Sequence, residues 1–142
     1  MKIKEFDYLP DGAKTIREKV FMEEQGFQNE FDETDKTAIH VVMSDGEKAV
    51  ATCRIYKSEQ NGPFIVGRVA VLKELRGNGL GAELVRGIEP IVLSHGGKTI
   101  ALHSQCTATD FYKKLGYTEY GEIELDEGCP HIWMKKEIGE KV

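Results

Sequence analysis

Apolar positions along this chain fall into short segments whose spacing switches between a strand period of two and a helical period of 3.6. "KIKEF" (2–6) alternates weakly and predicts a short strand. From Asp11 to about Gln25, Ala13, Ile16 and Val20 share one face and predict a helix. Residues 26–37, "GFQNEFDETDKT", are polar and aperiodic, as a loop is. "AIHVVMS" and "AVATCRIY" flank "DGEK" and predict a hairpin. "FIVGRVAVL" (64–72) is apolar almost throughout, as a central strand covered on both faces would be.

A second long helix is predicted from Leu80, Leu84, Ile88 and Ile91, with Pro90 expected to kink or shorten it and Gly96–Gly97 to end it. "KTIALHS" supplies another strand. Thr107 and Asp110 suggest a capping-box variant for a helix with face Ala108, Phe111, Tyr112 and Leu115, closed by Gly116. "TEYGEIEL" and "HIWMKKEI" end the chain as strands. The order β-α-β-β-β-α-β-α-β-β predicts an α/β protein with a mixed sheet flanked by helices, and 142 residues suit one domain, 1–142.

Composition narrows the partners. A net charge of −5 disfavours nucleic-acid or anionic-membrane binding, so neither is expected. No apolar run is long enough to cross a bilayer, and "MKIKEFDYLP" lacks a signal-peptide core. Cys53, Cys106 and Cys129 are odd in number, far apart and without a C-x-x-C pair, which disfavours both a disulfide framework and a metal site. A cytoplasmic location is expected.

The chemistry concentrates in "LRGNGLGAEL" (75–84), where Gly77, Gly79 and Gly81 precede a helix. Glycine costs backbone entropy there. A helix start exposes amides without internal acceptors, and its dipole is positive, so glycines that bare those amides make an anion cradle suited to phosphate. Arg76 adds a cation at the rim. No Gly-Lys-Ser/Thr follows, so this is not a P-loop. Gly77, Gly79 and Ala82 satisfy G-x-G-x-x-A, but "KEL" separates them from their strand, and the next strand ends in His103, Ser104 and Gln105 rather than a ribose-binding acid.

"VGRVAVLKELRGNGLGAEL" resembles the acetyl-CoA-binding segment of the GNAT N-acetyltransferases, whose Arg/Gln-x-x-Gly-x-Gly/Ala pattern is met by Arg76, Gly79 and Gly81. "LHSQCTATDFYKKLGY" is similar to that superfamily's second signature. "REKVFMEEQGF" and "FDETDKTAIHVV" are similar to a branch of small bacterial members. The resemblance implies the GNAT acyl-CoA N-acyltransferase fold and an acetyl-CoA-dependent N-acetyltransferase without a metal, acting on a small-molecule or peptide amine. It implies that main-chain groups of Val69, Ala70 and Val71 hold the pantetheine arm beside a strand bulge. It places the pyrophosphate on amides of Arg76, Gly77, Asn78 and Gly79, continuing through Leu80, Gly81 and Ala82. Gln105 matches a cofactor-contacting Asn, and Tyr112 the tyrosine that protonates the departing thiolate.

Amine acetylation also needs a base, because an ammonium has no lone pair. Glu24 is the first candidate: it extends the face of Ala13, Ile16 and Val20 and sits near a helix C-terminus, two places where a carboxylate is disfavoured. His103, at a strand end, is the second. His40 and His131 read as sheet-packing residues. Glu30, Asp32, Glu33 and Asp35 read as a solvated loop, or as the lining of a mouth that favours a cationic amine. Two rivals remain: a same-fold enzyme using another acyl donor, since "VFMEEQGF" and "FDETD" are faintly similar to signal-lactone synthases, and a non-catalytic CoA-binding sensor. Exposed edge strands make a homodimer plausible.

Overall fold

The computed structural model describes residues 1–27, 31–59, 62–126 and 128–139. Seven strands form one mixed sheet in the order β1-β2-β3-β4-β5-β7-β6. They are β1 (Lys2–Phe6), β2 (Ile39–Asp45), β3 (Lys48–Lys57), β4 (Phe64–Val71), β5 (Thr99–Gln105), β6 (Thr118–Asp126) and β7 (Cys129–Glu137). Neighbouring strands run antiparallel except β4 and β5, which are parallel. Such a pair needs a crossover, and α2 (Leu80–Ser94) lies within it. The hairpin between β2 and β3 turns where expected, with Gly46 supplying the positive φ of +60°.

Two apolar clusters cover the two sheet faces. The larger unites Leu84, Ile88 and Val92 of α2 with Val41, Ile55, Val66 and Met134 of the strands. The smaller joins Ile16, Val20 and Phe21 to Ala70 and Leu72. Pro90 neither breaks nor shortens α2. Its missing donor is outweighed by the burial of Leu84, Val85, Ile88 and Val92 along one face.

Three local expectations are corrected. The first helix is α only over α1 (Asp11–Arg17) and continues as a π-helix, Glu18–Glu24, shown by the amide of Gln25 donating to the carbonyl of Val20. The wider winding takes Glu24 off the face of Ala13, Ile16 and Val20, and it is exposed. The loop around 26–37 contains a 3-10 turn, Glu33–Lys36, capped by Asp32 and Asp35. The last helix opens as a 3-10 turn, Cys106–Ala108, before α3 (Thr109–Lys114); its N-cap is Ala108, with no side-chain cap, in place of a Thr107/Asp110 box. Its other end is as expected. Gly116 has φ +97°, and the amides of Gly116 and Tyr117 return to the carbonyls of Lys113 and Tyr112, a Schellman closure.

Candidate active site

The site begins with an irregularity in β4. Thr52 pairs with Ala70 but Arg54 pairs with Gly67, so two residues of β4, Arg68 and Val69, oppose Cys53 alone. Arg68 takes φ +54°, the left-handed region that a side chain enters at a cost of about 1–3 kcal/mol. Bulges bend a strand and interrupt its ladder. On the other edge, parallel pairing with β5 stops at Val66–Leu102. Beyond it the two strands part, leaving main-chain groups of Gly67–Val71 and His103–Gln105 unpaired with each other.

A cleft of about 540 Å³ opens at this splay. Val69, His103, Gln105 and Tyr112 of the expected site line it, with Phe21 from the π-helical segment and Gln25 at its C-cap. Arg54, Tyr56 and Trp133, which the sequence did not single out, line it too, as does His131, which was expected only to pack in the sheet. The residues from Arg76 to Ala82, Ala70, Val71 and Glu24 lie outside its lining.

The glycine turn lies on the chain after β4, behind a 3-10 turn, Lys73–Leu75. Gly77 and Gly79 have φ of +85° and +77°, and a Cβ at either would meet no protein atom within 4 Å. Their first reason is therefore conformational, and the space beyond them stays open. Gly79 caps α2 with no side chain bonded to the helix start, so the amides of Leu80, Gly81 and Ala82 lack intrahelical acceptors. Gly81 differs: a Cβ there would sit 3.4 Å from Cζ of Phe111, so its glycine lets α2 approach the last helix. The Asn78 amide nitrogen donates to the Leu75 carbonyl and braces the turn. The main-chain amide of Arg76 donates to Lys73 at 3.3 Å, which takes it out of the open set.

Glu24 and Arg76 meet. The guanidinium donates to both carboxylate oxygens of Glu24, at 2.5 and 2.8 Å, and its Nε to the Val71 carbonyl at 3.0 Å. Arg76's hydrogen bonds hold the Glu24 carboxyl below its ordinary range, an effect that burial opposes only in part. A carboxylate held this way is a weak base.

His103 is placed differently. It is the first residue of β5 beyond the splay, and its ring lies between those of His131 (centroids 4.9 Å) and Trp133 (4.8 Å). Burial, then the neighbouring His131, pushes its pKa below 6.5 against the pull of Glu124 and Asp126, so the ring is neutral near pH 7. Its Nε2 is buried without a hydrogen-bond partner among the described residues. Glu124 Oε1 lies 3.8 Å from that nitrogen, beyond hydrogen-bond reach.

Tyr112 packs against Phe111 and Tyr117, and burial raises its hydroxyl to about 12, with Cys53 adding to the shift. The phenol stays protonated at any working pH.

The acidic loop is not simply solvated. Asp35, 8% exposed, accepts from Arg17 at 2.7 and 3.0 Å and from Arg54 at 2.9 Å. Asp32 accepts from Arg54 at 2.6 and 3.1 Å and faces Arg68 at 3.4 Å. Burial opposes the charge on Asp35, but bonds from Arg17, the Asp32 amide and Arg54 prevail and leave it far below the carboxylate range. Glu33 pairs with Lys36 in solvent, and Glu30 lies outside the described residues. His40 is buried with Nε2 2.9 Å from the Asp35 carbonyl, a packing role as expected. Among the described residues no cluster of His, Cys, Asp or Glu fits a metal ion, and no helix is long and apolar enough to cross a membrane.

Comparison with known proteins agrees with this architecture. The Acetyltransferase (GNAT) domain profile matches residues 5–138. The uncharacterized N-acetyltransferase YjcF of Bacillus subtilis is 36% identical over 125 residues, covering 86% of this chain and 88% of its own. The crystal structure of Escherichia coli ElaA superposes with a TM-score of 0.84 at 26% identity, covering 96% of this chain and 100% of that one. An aminoglycoside 6'-N-acetyltransferase crystallised with coenzyme A shares the fold at a TM-score of 0.79 and 22% identity, over 100% and 99% of the two chains. With a bulged central strand, a splayed parallel pair and a glycine-opened helix in one chain, the protein belongs to the GNAT acetyltransferase family.

Proposed function

We propose that the chain is an acetyl-CoA-dependent N-acetyltransferase, working as a single cytoplasmic domain that passes the acetyl group directly to an amine. The observation that carries this reading is the splay at the β4 bulge, which leaves a strand edge beside a cleft at the place where an extended pantetheine arm can add as a further strand. Val69, Ala70 and Val71 would pair with that arm, and Gln105 would contact it from β5. The pyrophosphate would rest on the amides from Gly77 to Ala82, where open space and unsatisfied donors coincide. Arg76 would set the charge at that rim from its fixed position against Glu24.

At the reacting centre, His103 is the preferred base. It is neutral, lines the cleft and faces the side of the sheet occupied by the π-helix. It would take a proton from the incoming ammonium, freeing the lone pair that attacks the thioester carbonyl. An amide of the splayed strand would stabilise the oxygen as charge builds there. As the tetrahedral intermediate collapses and the C–S bond breaks, Tyr112 would protonate the departing thiolate, and the proton shed by the attacking nitrogen would restore the phenol, directly or through solvent. Burial makes the phenol a weaker acid, but a thiolate leaving in the same low-dielectric pocket is made more basic as well. The edge strand β6, exposed along its length with Ile123 and Leu125 outward, is where two copies would pair.

The test is calorimetric titration of the protein with acetyl-CoA, followed by release of free thiol on adding amines. Saturable heat with amine-dependent thiol release supports the proposal. Heat without release across a broad amine panel makes the protein a CoA sensor, and no heat removes the assignment.

A further inference from the structure

The acceptor side of the cleft carries a pattern that the transfer chemistry does not require. α1 packs on β2, β3 and β4, whereas the same side of β5, β7 and β6 is surfaced by rings. His103, Trp133 and Tyr120 occupy directly paired positions on those three strands. His103 and Trp133 are stacked at 4.8 Å with planes 26° apart, and Tyr120 continues the row at 6.4 Å from Trp133. The row begins inside the cleft, which His103 and Trp133 line, and runs outward to Tyr120, which is 38% exposed. Phe21 and Tyr56 also line the cleft, so it has aromatic faces from several elements.

Charge narrows the occupant further. Among the described residues lining the cleft, Asp126 is the only carboxylate, against the guanidiniums of Arg54 and Arg68. Asp32 and Asp35 are already engaged by arginines. The same ion pairs compensate Arg54 and Arg68, so among the described lining residues Asp126 alone offers a carboxylate to an ammonium, where a polycation would use several. One ammonium near Asp126 and a flat apolar body on the rings satisfies both features.

Resting on the acetyl-transfer reading, we propose that the acceptor is a primary amine carried on an aromatic or heteroaromatic ring, which packs against the cleft-facing edges of the His103–Trp133 row. This ring surface sets specificity; it does no proton transfer beyond that of His103.

Trp133 is the chain's one tryptophan, so its fluorescence reports this surface directly. The full chain is titrated with 2-phenylethylamine, 2-cyclohexylethylamine and an aminoglycoside, with and without saturating CoA, and thiol release is then measured with each amine. The proposal expects a saturable change with the aryl amine, a weaker one with its cyclohexyl analogue, and the highest kcat/KM for the aryl amine. Trp133→Leu raises its KM by about tenfold, the scale of a lost ring pair and its contacts, while Trp133→Phe stays near the parent and the KM for acetyl-CoA does not move. Tyr56→Leu provides a second variant should Trp133→Leu fail to fold. A cyclohexyl amine or aminoglycoside that equals the aryl amine overturns the proposal, as does CoA alone producing the whole fluorescence change. Absence of heat with acetyl-CoA instead defeats the underlying reading, while the coenzyme-free titration still decides the ring site.

Discussion

Arg76 holds Glu24 through both carboxylate oxygens, joining the turn that precedes α2 to the end of the π-helical segment. A side chain that sequence position marks as a candidate base is thus held as a strut would be, with both oxygens occupied. Its neighbour Gln25 and, one turn earlier, Phe21 line the cleft, so this ion pair links the glycine turn to the cleft wall.

Glu24→Gln consequently separates the two roles. Loss of a general base costs about 10²–10⁴ in rate. The strut predicts kcat within about threefold of the parent and an unchanged pH profile, with the effect confined to the KM for acetyl-CoA. Steady-state kinetics over a pH series decides it.

His103→Gln is expected to lower kcat/KM by about 10²-fold or more. With His103 as the base, the parent is expected to lose activity as pH falls, on a limb shifted below the ordinary imidazole range because burial disfavours the imidazolium. The limb disappears in the variant. A limb unchanged by the substitution assigns the base elsewhere.

Tyr112→Phe keeps the ring contacts with Phe111 and Tyr117 and removes only the hydroxyl. The expected result is a fall in kcat of about 10²-fold with unaltered calorimetric affinity for acetyl-CoA. Equal turnover makes Tyr112 a packing residue.

Asp35→Asn leaves the buried guanidiniums of Arg17 and Arg54 without a charge they now contact, and destabilisation of about 3–5 kcal/mol follows. Urea unfolding measures it. The folded-state pKa of Asp35 lies below its unfolded value of about 3.9. Its stabilising contribution is therefore complete above that value and is lost as pH falls toward the folded-state pKa, a loss the variant should not show.

Much of the architecture was legible because strand and helix periods are strong where burial is one-sided or complete. Leu84, Ile88 and the run from Phe64 to Val71 announce their elements, and the turn glycines announce theirs. What stayed hidden depends on the third dimension or on breaks in period. Nothing in Arg17, Asp35 and Arg54 signals that they meet, because the pairs lie 18 and 19 residues apart. The π-helix escaped because Ala13, Ile16 and Val20 fit an α-helix up to the turn where the winding changes, and that misplaced Glu24. The cleft-lining Trp133 and Tyr56 read as ordinary strand aromatics, since only register shows which rings stand together.

The bulge in β4 also has a consequence for how this segment can vary. Even-numbered Phe64 and Val66 face the larger core before it, but odd-numbered Val69 and Val71 do so after it, while Ala70 and Leu72 turn to the smaller one. The extra residue is a parity switch. Deleting one residue between Val66 and Val69 would turn the rest of the strand inside out, so this stretch tolerates exchange of side chains but not a change of length.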